Sequence, residues 1–150
     1  MTGLDPAKDV LLEIATIITN YDLEIIARGP VLAIRRSEAT LKAMDAWCRR
    51  THKKSGLIDR VRKEGVSTAE AERQTLGFVR QYCYVRTAPL CGNSIGQDKR
   101  FLARYMPRLD DFLHYRIVDV SSIKVLVSEW YGDKYVPPKK QEQHRALSDI

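Results

Sequence analysis

Two kinds of hydrophobic pattern follow one another along the chain, and the first kind predicts strands. Two apolar runs over residues 11–19 and 23–34 are rich in Ile and Val, and the turn formers Asn20-Tyr21-Asp22 separate them. Runs of this kind joined by a short turn are typical of an antiparallel hairpin. Shorter apolar stretches predict two more strands, over residues 89–92 and 114–120.

The second kind of pattern repeats every three to four residues and predicts helices. Ser37 can cap a helix that extends to about residue 48. Ser67-Thr68-Ala69-Glu70 is a capping box, which marks the start of another helix. Three further periodic stretches predict helices that begin at Asp98, at Ser121 or Ser122, and near His144.

The order of these elements predicts the fold class. A hairpin is followed by two helices, and then strands and helices alternate, which favours one α/β domain with a mixed sheet over residues 1–150. No run of about 18 apolar residues is present, so no membrane span is expected. The cysteines Cys48, Cys83 and Cys91 are far apart and odd in number. They favour neither disulfides nor a zinc site, and we expect a cytoplasmic protein.

Charge is the first feature of composition that bears on function. The chain has 25 Lys and Arg residues against 19 Asp and Glu residues, a net charge of +6. Clustered cations attract phosphate chains, so nucleic acid is a natural partner. A basic surface that only keeps the protein soluble explains the same excess. The sequence has no glycine-rich phosphate loop, nucleophile elbow or Cys–His pair, so nothing indicates covalent catalysis.

Three side chains are candidates for metal or acid–base chemistry. Asp98 follows a polar loop at the start of a helix, where capping of free N–H groups explains it equally well. His144 and Asp149 are five residues apart, which on an ideal helix is a rotation of about 140°. They do not share one face, but they could approach one centre from different sides. Two ordinary surface residues are the simpler interpretation.

Two other groups of residues are candidates for contacts with nucleic acid. Trp47 precedes a basic stretch over residues 49–54, and an aromatic ring beside cations can stack on a base. A core tryptophan next to a solvated charge run is the alternative. Arg116, Ser121 and Lys124 flank a strand end and the start of a helix, a favourable place for phosphate. Ordinary capping explains Ser121 as well.

A series of short motifs is similar in order and spacing to the oligoribonuclease family, part of the DEDD exonuclease superfamily with a ribonuclease-H-like fold. The series covers essentially all 150 residues. Its longest members are Met1-Thr2-Gly3-Leu4-Asp5-Pro6, Cys91-Gly92-Asn93-Ser94-Ile95-Gly96-Gln97-Asp98 and His144-Arg145-Ala146-Leu147-Ser148-Asp149-Ile150.

The resemblance implies an activity and a set of catalytic residues. The family degrades RNA of a few nucleotides, dinucleotides above all, from the 3′ end to mononucleotides. Asp98 and Asp149 resemble ligands of two Mg²⁺ or Mn²⁺ ions, and His144 resembles the general base. Such a site hydrolyses a phosphodiester with one ion activating water and the other stabilising the leaving oxygen. A neutral imidazole can accept the proton of that water.

The resemblance also implies contacts with the substrate. Leu4 and Trp47 resemble side chains that pack against the two bases. Tyr115 resembles a residue that the partner subunit supplies, so a homodimer is expected. The expected contacts around the 5′ phosphate, which would limit the substrate to a few nucleotides, are Ser94, Arg116, Ser121, Lys124 and the nearby His52.

The sequence differs from the family pattern at its two ends. The family has an apolar central strand ending in Asp-x-Glu directly before the position of Met1, and a last helix after that of Ile150. Without the two acids of that strand we expect impaired activity. The missing acids make an inactive fragment that binds short nucleic acid or a full-length partner one alternative to an active exonuclease. A generic basic α/β domain that binds RNA is the other, if the motif matches are accidental.

Overall fold

The computed structural model describes residues 1–135 and residue 146. Its strands are β1 (Glu13–Thr19), β2 (Ile25–Ala33), β3 (Pro89–Gly92) and β4 (His114–Asp119). Its helices are α1 (Glu38–Ala43), α2 (Ala46–Lys54), α3 (Leu57–Lys63), α4 (Thr68–Val79), α5 (Ile95–Tyr105), α6 (Pro107–Phe112) and α7 (Val120–Tyr131), followed by a short 3₁₀ helix (Gly132–Tyr135). None of the helices in this part of the chain has the length and apolar character needed to cross a membrane.

The predicted hairpin is confirmed. Strands β1 and β2 pair in antiparallel register, from Glu13 opposite Ala33 to Thr19 opposite Ile25. The Asn20 side chain closes the turn, because its carbonyl oxygen accepts hydrogen bonds from the backbone N–H groups of Asp22 and Glu24. Asparagine is common in turns for this reason.

Strands β3 and β4 form a parallel pair, and α5 and α6 make the crossover between them. The α/β class is therefore confirmed. In the described part of the chain, however, the strands form two separate two-stranded sheets, one antiparallel and one parallel. Because β3 and β4 are parallel, Gly92 and Asp119 face each other at the same edge, where both strands end.

The single helix predicted after Ser37 is two helices. The Ser37 side chain caps α1 by accepting a hydrogen bond from the Thr40 N–H. The Asp45 carboxylate accepts another from the Cys48 N–H and begins α2. Aspartate is favoured at such positions because its carboxylate accepts a hydrogen bond from a backbone N–H that has no partner within the helix. The capping box at Ser67 is confirmed, since its hydroxyl oxygen accepts from the Glu70 N–H.

The base of the hairpin separates two hydrophobic cores. Neighbouring residues of a strand point to opposite sides, and Leu11 and Leu12 accordingly enter different cores. One core packs against α4, α5 and α6 through Leu76, Phe101 and Leu109. The other is formed with α1, α2 and α3. Helices α2 and α5, which carry several predicted site residues, are thus anchored in separate cores.

Candidate active site

Residues 1–10 form a closed loop with Leu4 at its exposed end. The Thr2 N–H donates to the Val10 carbonyl, and the Val10 N–H donates to the Thr2 hydroxyl oxygen. The Thr2 hydroxyl in turn donates to the Asp9 carboxylate over 2.9 Å. These bonds fix the backbone while Leu4 remains 67% exposed. An apolar side chain held in solvent on a rigid loop is suited to contact with a base.

Side chains from α2 and α5 hold this loop on both sides. Gln97 Nε2 of α5 donates to the Leu4 carbonyl over 3.0 Å. His52 Nε2 of α2 lies 2.9 Å from the Met1 carbonyl oxygen, and His52 is buried. The structure therefore brings His52, Leu4 and the start of α5 together around the N-terminal loop.

Asp98 lies in the first turn of α5 and is partly buried. Ser94 occupies the position before the helix, so Asp98 is not its N-cap residue. A carboxylate in the first turn is still favourable at a helix start. Burial lowers the pKa of the Met1 amino group, and the negative charges of Asp98, Glu13 and Asp9 oppose that shift. These three carboxylates therefore favour the charged form of the Met1 amino group.

Carboxylate oxygens are the ligands that Mg²⁺ and Mn²⁺ prefer, so Asp98 has the right chemistry for such an ion. Among residues 1–135 and 146, no group of three or more His, Cys, Asp or Glu side chains is placed to hold a metal. The predicted residues His144 and Asp149 lie outside the described part of the chain. Asp98 is the one of the two predicted carboxylate ligands that lies within the described residues.

Two predicted phosphate contacts meet at the edge where β3 and β4 end. The Asp119 carboxylate accepts hydrogen bonds from the Ser94 N–H and the Ser121 N–H, each over 2.9 Å. It also accepts from the Ser121 hydroxyl over 2.6 Å. The hydroxyl bond is the main reason that the pKa of Asp119 lies below its usual value, and the two N–H bonds act in the same direction. Ser94 and Ser121 are therefore linked through one ionised carboxylate.

The predicted cations lie close to this pair in the chain. Lys124, one turn after Ser121 on α7, donates to the Asn93 side-chain oxygen over 2.8 Å. Arg116 and Tyr115 are exposed on β4, with the guanidinium 5.4 Å from the centre of the ring. The structure links Ser94 and Ser121 through Asp119 and joins Lys124 to Asn93, the residue before Ser94, while Arg116 is exposed.

The Ser121 hydroxyl has only one hydrogen to donate, and Asp119 receives it. A phosphate that needs a donor from Ser121 must therefore compete with Asp119 for that hydrogen. Positive charge from Lys124 or Arg116 would favour the phosphate in this competition.

Trp47 lies near the start of α2 and is 54% exposed, so the alternative of a core tryptophan is wrong. The cations that follow it lie on the solvent side of the helix. Four of them, together with Ala46, line an open hollow of about 600 Å³: Arg49, Arg50, Lys53 and Lys54. An exposed indole beside unburied cations is consistent with stacking on a base.

Three further residues of this region were not singled out from the sequence. Gln97 holds the Leu4 backbone and Asn93 holds Lys124. Asp119 is the N-cap of α7, so the expectation that Ser121 or Ser122 caps this helix is wrong. The signal for Asp119 was present, because aspartate is among the residues preferred at a helix N-cap.

Comparisons with known proteins agree with these features. Residues 1–150 match the exonuclease family RNase_T. An oligoribonuclease of Paracidovorax citrulli is 53% identical over 150 residues, which are 100% of this chain and 78% of that protein. Oligoribonucleases of Dichelobacter nodosus and Marinobacter nauticus are 53% and 51% identical over the whole chain, which covers 82% and 83% of their lengths. Each match extends over the whole chain and not over one motif alone.

Proposed function

Since this chain belongs to the exonuclease family of the oligoribonucleases and is a 3′-to-5′ exoribonuclease, we propose that its substrates are RNAs of two to a few nucleotides. One observation carries the proposal: the exposed Leu4, the carboxylate of Asp98 and the serines linked by Asp119 all lie around the start of α5. A base contact, a metal ligand and a phosphate site would thus be close enough for a very short substrate.

The two bases contact Leu4 and Trp47, the exposed apolar side chains on the N-terminal loop and on α2. His52 supports the same loop through Met1. The 5′ phosphate contacts Ser94, Arg116, Ser121 and Lys124, and Ser121 transfers its hydrogen bond from Asp119 to the phosphate. If these side chains enclose the 5′ phosphate, an RNA strand cannot continue beyond its 5′ end, which limits the length of the substrate.

Asp98 and Asp149 would hold Mg²⁺ or Mn²⁺ through their carboxylate oxygens. A bound divalent cation lowers the pKa of a water molecule and stabilises charge on a leaving oxygen. His144 accepts a proton from the attacking water, whose oxygen forms the new bond to phosphorus. The bond from phosphorus to the 3′ oxygen breaks, and that oxygen takes up a proton from solvent to become the 3′ hydroxyl. An imidazole with ordinary proton affinity is largely neutral at pH 7 and suited to this role.

The protein acts as a homodimer in which Tyr115 of the partner subunit completes the site. Tyr115 is 72% exposed on β4, so its ring is available to a second molecule. In the described part of the chain, α7 has no buried residue. Large exposed apolar patches mark interaction sites. The exposed apolar residues of α7 include Ile123, Val125, Leu126, Trp130 and Tyr131.

The cytoplasm is the proposed location. The three cysteines are free thiols, which fits a reducing compartment. Burial, together with a hydrogen bond to Asp45, raises the pKa of the Cys48 thiol to about 11. This thiol is therefore protonated and unreactive at neutral pH.

A dinucleotide assay tests the proposal. The 150-residue protein is incubated with 5′-phosphorylated diadenosine and Mn²⁺, and mononucleotide is measured by chromatography. D98A should lose at least about 100-fold in kcat, since a metal ligand is removed. D59A is the matched control, because Asp59 is an exposed carboxylate on α3. Binding of the dinucleotide without any hydrolysis would favour the inactive fragment, and cleavage of long RNA alone would favour the generic RNA-binding domain.

A further inference from the structure

Three arginines from separate parts of the chain line one open hollow of about 470 Å³, which we call the arginine hollow. Arg80 is the C-cap residue of α4, Arg86 lies in the loop before β3, and Arg108 lies on α6. The other lining residues are Val85, Asp111 and Phe112. Three guanidinium groups and one carboxylate give the arginine hollow a net charge of +2.

Phe112, the last residue of α6, brings the three arginines together. Its carbonyl oxygen accepts a hydrogen bond from the Arg86 N–H over 2.7 Å, and the Arg80 guanidinium lies 5.6 Å from the centre of its ring. Arg108 is four residues earlier on the same helix and therefore lies on the same side. The Glu72 carboxylate of α4 accepts from the Arg108 N–H over 2.7 Å and holds α6 in place. The backbone and one buried ring thus define the arginine hollow.

The backbone of Arg86 is in the left-handed region, with a φ of 59°. A Cβ atom makes this conformation unfavourable, and glycine is the residue that adopts it without strain. The Arg86 side chain is exposed, so packing in the core does not offset the strain. Strained residues cluster at functional sites. A charged side chain at a position that favours glycine therefore indicates a role in binding.

The charges of the arginine hollow are not neutralised by the fold. Within the described part of the chain, none of its arginines forms a salt bridge. Two other exposed arginines, Arg62 and Arg73, each pair with a glutamate within 2.7 Å. Like charges at one hollow repel one another, and a bound anion would offset this repulsion.

The charge and the donors of the arginine hollow fit a phosphate monoester. A monoester carries a charge of about −1.5 to −2 at pH 7 and has three acceptor oxygens, whereas each phosphodiester of a nucleic acid carries one charge. Guanidinium groups bind such oxygens through paired N–H donors. Tyr84, two residues before Arg86, is 85% exposed, and an exposed aromatic ring can stack on a base. The ligand class that fits is a nucleotide with a terminal phosphate.

The arginine hollow and the proposed phosphate contacts lie at opposite edges of the parallel strand pair. Arg86 and Phe112 come directly before the edge where β3 and β4 begin. Ser94 and Asp119 lie at the other edge, where both strands end. Helix α5, which is eleven residues and therefore about 16 Å long, separates Ser94 from α6. A ligand in the arginine hollow would thus leave the proposed active site open.

We propose that the arginine hollow is a second nucleotide site, in which Arg80, Arg86 and Arg108 bind a terminal phosphate. The inference goes beyond the exonuclease function and does not depend on it. Two sources carry the same group: free nucleoside monophosphates, which the proposed reaction releases, and RNA with a phosphorylated 5′ end.

Hydrogen exchange gives a readout that is local to the arginine hollow. The 150-residue protein is incubated with millimolar AMP in EDTA, so that no metal-dependent hydrolysis takes place. Exchange of the peptide that contains Arg86 should become at least about threefold slower, because the bound phosphate restrains this loop. Adenosine, which lacks the phosphate, should leave the exchange unchanged. Equal effects of AMP and adenosine, or no effect of any phosphorylated ligand, would overturn the inference.

RNA of about ten nucleotides, with and without a 5′ phosphate, distinguishes the two sources. Slower exchange with AMP alone identifies free mononucleotides as the ligand. Slower exchange with phosphorylated RNA as well extends the ligand to RNA ends, and with phosphorylated RNA alone it restricts the ligand to them. Equal protection by the two RNAs would show binding of the phosphodiester backbone and contradict the terminal phosphate.

R86G separates a binding role from a structural one. Glycine relieves the left-handed backbone and keeps the N–H that donates to Phe112, so the melting temperature should stay equal or rise. The affinity for AMP, measured from the exchange at increasing AMP concentration, should fall about 10-fold, because a charged contact is lost. L23G is the matched control, since Leu23 is also exposed and has a φ of 65°. It should keep the affinity within about twofold.

R80Q and K63Q test the charge in a second way. Each removes one positive charge, but Lys63 is an exposed residue of α3 that does not line the arginine hollow. R80Q should weaken AMP binding about 10-fold and K63Q by less than about twofold. Unchanged affinity in both R86G and R80Q would overturn the inference. If the wild-type protein does not hydrolyse the dinucleotide, the proposed function fails, whereas these binding measurements still test the arginine hollow.

Discussion

Helices α4 and α7 are both twelve residues long, yet their surroundings are opposite. Helix α4 has five apolar residues and buries Ala71, Leu76 and Val79 in the larger core. Helix α7 has seven apolar residues and buries none of its side chains within the described part of the chain. Hydrophobicity alone therefore does not tell which helix builds the core. The difference assigns α4 to the core of the single chain, whereas α7 is the helix for which we propose contacts with another molecule.

The largest expected effect of this difference is on stability. L76A should destabilise the fold by about 2–5 kcal/mol, because Leu76 is 2% exposed and its removal leaves a cavity. L126A on α7 makes the same chemical change at a residue that is 45% exposed. At a concentration where the protein is monomeric, it should cost at most about 0.5 kcal/mol. Urea unfolding measures both values, and equal losses would contradict the comparison.

A second effect concerns buried polar groups. Glu72 on α4 is buried, and its carboxylate accepts from the N–H groups of Arg108 and Leu109 at the start of α6, over 2.7 and 3.2 Å. E72A should cost about 1–3 kcal/mol, since two donors lose their acceptor. Glu129 on α7 is exposed, and E129A should fall within about 0.5 kcal/mol. Thermal unfolding of the two variants at matched pH provides the measurement.

These two comparisons show what could be predicted from the sequence. Both helices were predicted correctly, because helical periodicity is local and Ser67 gives a clear start signal. Which helix enters the core was not predictable, since burial depends on partners that are distant in the chain. The division of one predicted helix at Asp45 was missed because Leu41, Met44 and Trp47 continue the apolar spacing across it.

The site was predictable where its chemistry lies in short motifs. The motif that ends in Asp98 places Ser94, Gln97 and Asp98 on the first turn of α5 or directly before it. Contacts across the chain were not predictable from such motifs. The Glu13 carboxylate accepts a hydrogen bond from the backbone N–H of Ala146, 133 residues further along the chain, and nothing in the local sequence of β1 distinguishes this glutamate from an ordinary strand residue. Ser94 and Ser121 are linked only once β3 and β4 end at the same edge.

A third prediction tests the exposed face of α7 directly. L126E places a charge in the apolar surface, and it should shift the protein from dimer to monomer at micromolar concentration, because an unpaired charge is unfavourable in an interface. The control is K124E on the same helix, where an exposed charged residue is replaced by another. Analytical ultracentrifugation gives the oligomeric state. A dimer that survives L126E would remove α7 from the interface, and a monomeric wild-type protein would contradict the homodimer itself.

The smallest expected effect is a difference in how the N-termini of α7 and α4 respond to pH. Asp119 caps α7, and its hydrogen bonds, chiefly from the Ser121 hydroxyl, hold its pKa below the usual value of 3.8. A carboxyl whose pKa is lowered by folding stabilises the native state above its unfolded pKa, about 3.9. That contribution is lost as the pH falls through the lower native pKa. Ser67, which caps α4, does not titrate, and the pKa of Glu70 in its first turn is lowered to about 2, mainly by Arg73.

Lowering the pH from 5 to 3 should therefore loosen the first turn of α7 before that of α4. Hydrogen-exchange protection factors, corrected for the intrinsic effect of pH on exchange, should fall for the peptide around Ser121 and stay constant for the peptide around Glu70. In D119N the cap no longer titrates, so the fall at α7 should disappear and protection there should be low throughout. Parallel loss of protection in both helices would mean that global unfolding, and not the Asp119 cap, responds to acid.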